Sequence, residues 1–121
     1  MVYHELRERV SEDALDAIFA ALSHRGRRAA LRLVAAGDRE GVAMNRLAER
    51  LGMSPQALQK HLASLERAGL ITRVRDGRVT HAVAQPEVLA AAQSWITEMS
   101  AYWNAQLDAL ADYINALTKE N

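Results

Sequence analysis

The side chains best suited to molecular recognition are concentrated in one short stretch of this 121-residue chain. Residues 54–61 read SPQALQKH and combine a hydroxyl, two amides, an amine and an imidazole. An amide donates and accepts hydrogen bonds at once, whereas an amine binds anions through its charge. Ser54 has no acid–base partner placed beside it by the pattern, so these residues suit binding to a polar, anionic surface rather than nucleophilic catalysis.

Two short helices joined by a tight turn are predicted to position these side chains. Leu47 and Leu51 share one helical face, and Gly52 follows them. Glycine ends helices because it enters the left-handed region without steric cost. Ser54 then fits an N-cap, and Pro55 fits the first helical position, where its missing N–H costs nothing. The pattern predicts a helix-turn-helix.

The second of these helices is predicted over residues 55–68, followed by a basic hairpin. Leu58, Leu62 and Leu65 form its buried stripe, and the polar side chains fall on the other side. Beyond it, two extended runs flank Asp76-Gly77, a strong signal for a tight hairpin. Three arginines lie on this hairpin: Arg73, Arg75 and Arg78.

The formal net charge is zero, but the charges are segregated along the chain. Residues 1–23 carry two basic and five acidic side chains, residues 24–81 carry twelve and five, and residues 82–121 carry one and five. A basic middle between acidic ends concentrates positive potential on one part of the surface. This part coincides with the predicted helix-turn-helix and hairpin, which favours a nucleic-acid partner.

These segments resemble a known family. The string SPQALQKHLASLERAGLITRVRDGR is similar to the recognition helix and wing of ArsR-type winged-helix repressors, and FAALSHRGRRAALRLV resembles the region of that family's second helix. The likeness covers residues 12–84 and, more weakly, the last helix. It implies a homodimeric transcriptional regulator that binds double-stranded DNA, usually a repressor released by a signal.

The expected fold is mainly α with a small β-wing, in the order α-α-α-α-β-β-α. One domain is expected over residues 1–121, since a chain of this length buries a single modest core. Ser23 is the expected cap of the second helix, Val42 and Ala43 are expected to pair with the wing, and Tyr3–Val10 form a short helix or a loose arm. Helices are expected over residues 12–22, 25–36, 44–51, 55–68 and 86–119, and strands over residues 71–75 and 78–84.

The last predicted helix carries an apolar seam with alternating spacings of three and four residues. Such a stripe is longer than one small winged-helix domain covers from its own core, and the resemblance implies a dimer through the first and last helices. Intramolecular packing is the alternative for part of it. The residues expected at the dimer interface are Leu15, Ile18, Phe19, Leu22, Ile96, Met99, Trp103, Leu107, Leu110 and Ile114.

The expected DNA contacts follow from side-chain chemistry. Gln59 is the first choice for base reading, with Gln56 beside it, because an amide pairs at two points with adenine. Lys60 suits phosphate or guanine, and Ser54 and Pro55 shape a helix N-terminus that holds a phosphate. His61 has two interpretations, a phosphate contact or packing at the helix edge. The remaining candidates are Arg73, Arg75 and Arg78 on the wing, with Arg25, Arg27, Arg28, Arg46 and Arg50 behind them.

Other classes of function are disfavoured. The sequence has no cysteine and no GxSxG, HExxH, P-loop or GxGxxG motif, so we expect neither an enzyme nor a cofactor. The four histidines lack ligand spacing and none follows His81, which departs from the metal-sensing pattern of ArsR-type proteins. No apolar run approaches a membrane span and no signal peptide is evident, so the cytoplasm is the expected compartment. The inducer is not identifiable, and a protein-interaction module and a MarR-like ligand sensor remain as alternatives.

Overall fold

A computed structural model describes the backbone of residues 2–38 and 40–120, and the side chains of residues 12–38 and 40–119. Helix α1 (Val2–Leu22) begins ten residues before the predicted start at residue 12. The segment expected as a separate short helix or a loose arm is therefore continuous with α1. Its side chains lie outside the described set.

The central helices match their predicted bounds closely: α2 (Arg25–Ala36), α3 (Met44–Leu51) and α4 (Pro55–Arg67). Gly52 ends α3 with φ of 63°, in the left-handed region that glycine adopts without strain. The Ser54 hydroxyl caps α4 by accepting a hydrogen bond from the Ala57 N–H at 3.1 Å. The predicted cap and turn are thus confirmed.

The cap of α2 differs from the prediction. His24, rather than Ser23, occupies the N-cap, and its Nδ1 accepts a hydrogen bond from the Gly26 N–H at 3.0 Å. The Ser23 hydroxyl instead donates to the Ala20 carbonyl at 2.7 Å, at the end of α1. A serine between two helices can serve either end, and here it closes the first helix.

Three antiparallel strands form a small sheet in the order β1-β3-β2. They are β1 (Val42–Ala43), β2 (Ile71–Asp76) and β3 (Val79–Ala84). Val42 pairs with Ala82, so the short strand joins the wing as expected. Gly77 has φ of 64° in the hairpin that connects β2 to β3. The structure is therefore a mainly helical fold with a β-wing.

The core lies between α1, the helix-turn-helix and the base of the sheet. Each leucine of the predicted α4 stripe is buried, which turns the opposite side of the helix outward. Truncating such a residue to alanine costs about 2–5 kcal/mol, so this packing strongly constrains how α4 is oriented. The largest fully buried side chains are Ile18, Val34, Leu47, Leu58, Leu62, Leu65, Leu70 and Ile71.

The last helix is joined to the domain at one end only. After a single 3₁₀ turn (Pro86–Val88), α5 (Leu89–Glu120) runs for 32 residues. Its first turns pack on α1, where Phe19 and Trp95 meet edge to face with ring centroids 5.6 Å apart. From residue 100 to residue 119 every side chain is exposed. Among the described helices none is long and apolar enough to cross a membrane.

A pair of histidines lies where α2 meets α4. The rings of His24 and His61 are 4.7 Å apart, and they enclose Gly26. A Cβ on Gly26 would lie 2.9 Å from His61 Nε2, so only glycine fits without displacing that ring. Burial first, then the positive charges of His24 and Arg27, lowers the pKa of His61 from its ordinary value of 6.5.

This lowered pKa predicts a pH dependence of stability. Below 6.5 the unfolded chain binds a proton at His61 that the folded chain resists, so the free energy of unfolding falls as the pH drops. We expect His61→Gln to weaken this loss between about pH 7.5 and about pH 5.5. Urea unfolding across that range measures it, and comparing slopes removes any change in packing. Parallel curves for the two proteins would contradict the prediction.

Candidate nucleic-acid interface

The outer face of α4 presents a row of polar side chains to solvent. Gln56, Gln59 and Lys60 are exposed, while the leucines between them point into the core. These three side chains lie within the first two turns of α4, where an inserted helix meets base edges. The sequence therefore identified the outward face correctly, because helical periodicity alone separates it from the buried stripe.

The N-terminus of α4 is open to solvent. Ser54 and Pro55 are both exposed, and Pro55 stands at the first helical position. Because the Ser54 oxygen accepts the cap hydrogen bond, its own O–H remains able to donate to an outside acceptor. The positive end of the helix dipole adds to this, so the terminus is chemically suited to a phosphate.

Arg73 lies on the wing strand β2, as expected, but its side chain is engaged within the protein. Its guanidinium folds back from β2 onto α4, where Nη1 donates to Gln59 Oε1 at 2.7 Å and Nη2 to the Gln59 carbonyl at 3.4 Å. Its Nε is 3.7 Å from Glu66 Oε1. Side chains alternate along a strand, so Arg73 shares a face with the buried Ile71 and turns inward. Arg73 thus bridges the wing and the helix, and its contact with DNA stays a prediction.

The other two wing arginines are exposed at the hairpin. Arg75 Nε donates to the Gly77 carbonyl at 3.2 Å, which holds the side chain beside the turn. Arg78 stands at the rim of a cavity of about 350 Å³ between α3, the start of α4 and β3. The cavity also reaches Gln59 and has Met44 and Leu58 in its wall. Arg75 and Arg78 are therefore placed to extend a basic surface beyond α4.

His61 and the arginines of α2 are less available. His61 is half-buried against His24, which corresponds to the packing interpretation of this residue. Arg28 Nη1 donates to the Leu22 carbonyl at 2.7 Å and so caps α1. Arg27 is half-buried, and its Nε has no hydrogen-bond partner among the described side chains. Arg25 is exposed at the first position of α2.

The residues expected at a dimer interface separate into two groups. Leu15 and Ile18 are 9% and 1% exposed and belong to the protomer's own core, and Leu22 and Met99 are half-buried. Helical periodicity could not separate these from interface residues, because core and interface use the same apolar stripe. The exposed members are Phe19, Ile96, Trp103, Leu107, Leu110 and Ile114, and Trp95, Tyr102, Tyr113 and Leu117 extend their surface.

Sequence reasoning missed Glu66, whose carboxylate lies beside the Arg73 guanidinium. No local signal identifies it, since the contact depends on how β2 folds back over α4. Within the described side chains, no group of three or more His, Cys, Asp or Glu is placed to hold a metal ion. Asp108 and Asp112 lie on the exposed part of α5.

Comparison with known proteins agrees with this architecture. A sequence profile described as the MarR family matches residues 27–79, which span the helix-turn-helix and most of the wing. No curated protein gives a significant match to the chain.

Solved structures give closer likenesses. An ArsR-like transcriptional regulator from Rhodococcus sp. RHA1 is 31% identical, with a TM-score of 0.68, covering 82% of this chain and 91% of that one. A homodimeric winged helix-turn-helix DNA-binding domain from Mycobacterium bovis is 23% identical, with a TM-score of 0.61 and coverage of 82% and 88%. MepR from S. aureus, solved with DNA, is 16% identical, with a TM-score of 0.54 and coverage of 90% and 98%.

The last two likenesses establish the fold. The Rhodococcus regulator is 31% identical over most of both chains. This likeness agrees with the cap, turn, helix α4 and wing found in the structure. The chain therefore belongs to the ArsR-type family of winged helix-turn-helix transcriptional regulators.

Proposed function

We propose that this chain acts as a homodimer that binds double-stranded DNA and represses transcription, with α4 in the major groove of a near-palindromic operator. The observation that carries the proposal is the exposed face of α4, on which Gln56, Gln59 and Lys60 point away from a fully buried leucine stripe. An α-helix fits the major groove, and its amides and amine match the hydrogen-bonding groups of base edges and phosphates. No catalytic role is proposed, because the Ser54 hydroxyl is used as a helix cap.

Electrostatics supports the same face. The excess of basic side chains falls within residues 24–81, which include the helix-turn-helix and the wing. Arg75 and Arg78 flank α4 on the wing side, and the N-terminus of α4 adds its dipole. Contacts of this kind with phosphates orient a protein on the duplex, whereas amide contacts with bases supply sequence preference. We assign the first role to Ser54, Lys60, Arg75 and Arg78, and the second to Gln59.

The homodimer is supported by the exposed apolar stripe of α5. Trp103, Leu107 and Leu110 are 64%, 61% and 54% exposed in the single chain. An isolated helix is marginal in water, and most helical stability comes from packing of an apolar face. The twenty exposed residues from 100 to 119 extend about 30 Å, so a partner helix is needed along their length. A second copy of the same helix offers an equally apolar and self-complementary surface.

A two-fold dimer determines how the two reading helices meet DNA. Dimeric helix-turn-helix proteins place their recognition helices about 34 Å apart, one turn of the double helix. The similar domain from Mycobacterium bovis is homodimeric, and the similar MepR structure holds DNA. These neighbours support the proposed assembly for a fold of this kind.

A ligand sensor of the MarR type is the second candidate. The cavity of about 350 Å³ beside Gln59 and Arg78 is large enough for a small molecule, and its apolar wall includes Leu58. It lies between α3, α4 and β3, whereas such a sensor was expected to bind between the dimer helices and the wing domain. A ligand in this position would cover part of the proposed reading surface. A third possibility, a protein-interaction module, predicts no DNA binding even at low salt.

Selection of bound duplexes from a random pool tests the proposal directly. We expect two inverted half-sites whose centres are about 34 Å apart. Replacing Gln59 with Ala is expected to relax the preference at one position per half-site by about 1–3 kcal/mol, because a bidentate amide contact is lost. The exposed Gln93 supplies the control, since Gln93→Ala removes an amide from α5 and leaves α4 unchanged. An unchanged preference in the Gln59 variant would remove this residue from base reading.

Lys60 is expected to act through charge alone. Lys60→Ala is predicted to weaken binding to all sequences alike and to reduce the salt slope of the association constant by about one unit. Fluorescence anisotropy at a series of salt concentrations measures both effects. Lys119, near the end of α5, is the only other lysine of the chain, and Lys119→Ala serves as the matched control. An effect confined to one base position would contradict a phosphate role for Lys60.

The dimer is tested by charge insertion into the α5 stripe. Leu107→Glu is expected to raise the dimer dissociation constant more than about a hundredfold, because two buried leucines are lost per dimer at about 1.5–3 kcal/mol each. Ala105→Glu places the same charge on the opposite face of α5 and is expected to leave the dimer intact. Sedimentation equilibrium distinguishes the outcomes. Dimerisation of both variants at wild-type strength would exclude this face as the interface.

A further inference from the structure

The bridge between the wing and the recognition helix ends on the residue best suited to read bases. Arg73 Nη1 donates to Gln59 Oε1 at 2.7 Å, and Nη2 to the Gln59 carbonyl at 3.4 Å. The same guanidinium is therefore bonded to both the side chain and the main chain of one residue. A planar fork of this kind restrains direction as well as distance.

The position of Arg73 is itself restrained. Its side chain is 23% exposed, and its Nε is 3.7 Å from the Glu66 carboxylate. It leaves β2 two residues after Ile71, which is fully buried, so the strand cannot easily turn the arginine outward. Glu66 and Gln59 lie two turns apart on α4, and Arg73 contacts both from the wing. These contacts form a brace that holds β2 and α4 in a set relative position.

This brace leaves the useful part of Gln59 available. The bond from Arg73 takes one lone pair of Oε1, and the other lone pair and both Nε2 hydrogens remain. Pairing with adenine needs an acceptor for the N6 amino group and a donor for N7, which are the groups that remain. Because Arg73 fixes which end of the carboxamide is oxygen, it also restricts the amide from flipping to the opposite pattern.

We propose that Arg73 is a positioning residue that sets the base preference of α4 by holding the Gln59 carboxamide in one orientation. The inference rests on the proposed function, since it concerns how Gln59 would read a base. Arg73 acts through Gln59 and needs no base contact of its own. Ordering the amide before binding reduces the rotamer entropy that the complex would otherwise lose.

Arg73→Lys tests this, because lysine keeps the positive charge and loses the planar fork. We expect the preference at the Gln59-dependent base position to fall by about three- to tenfold, from the rotamer freedom that the amide regains. The salt slope of binding is expected to stay unchanged, since the charge is kept. Arg32 on α2 is exposed, and Arg32→Lys is the matched control, expected to leave preference and slope as in the wild type.

A double-mutant cycle separates positioning from general damage. In a Gln59→Ala background, Arg73→Lys is expected to cause no further loss of preference, because the residue it orients is gone. The side-chain amide resonances of Gln59 supply a second readout without DNA, and the shift difference between its two protons should shrink in the Arg73→Lys protein. Thermal unfolding checks the fold, and Arg73→Gln, with the same expected loss of preference, replaces the lysine variant if that protein is unstable.

The outcomes distinguish the two levels of the proposal. Wild-type protein that selects no duplex at low salt would overturn the proposed function, and the inference with it. Wild-type protein that selects an operator, together with an Arg73→Lys variant of undiminished base preference, would overturn the inference alone. Additive losses in the cycle would also overturn it, because they would mean that Arg73 acts independently of Gln59.

Discussion

Burial of one leucine stripe orients the whole outer face of α4. The side chains of Leu58, Leu62 and Leu65 have almost no exposed area. They pack into the core that α4 shares with α1, α3 and the base of the sheet. Because a helix is rigid, locking one face into a close-packed core determines the direction of the other. The polar side chains of α4 therefore leave the helix on its solvent side.

The wing extends this order beyond the core. Ile71 anchors the start of β2, and the alternation of the strand carries Arg73 towards α4 while the hairpin runs on into solvent. The base of the wing is thus hydrogen-bonded to α4 through Arg73 and Gln59. A movement of the hairpin would strain the Arg73–Gln59 contact, which couples the wing to the reading helix.

The first and last helices differ in how much of their apolar surface the core buries. Helix α1 is buried in the core through Leu15 and Ile18, whereas only the first turns of α5 pack against the core. The long apolar surface beyond residue 100 has no intramolecular cover among the described residues, although its spacing is that of a packing seam. One chain thus contains an internally packed helix-turn-helix and wing, together with an apolar surface on α5 that is exposed in the single chain. In the proposed homodimer, the core would orient each α4 and the α5 stripe would set the distance between the two copies.

Local sequence rules were sufficient for the helix-turn-helix and the hairpin of the wing. Gly52, Ser54 and Pro55 define the turn and cap by their own backbone preferences, and Asp76-Gly77 defines the hairpin, so the helix-turn-helix and wing could be predicted without a structure. The tertiary structure decided what depends on distant partners. Arg73 meets Gln59 across 14 residues and His24 meets His61 across 37, and no local pattern encodes such contacts. The same holds for Leu15 and Ile18. An apolar stripe predicts that one face of a helix is buried, but only the packed chain shows which surface buries it.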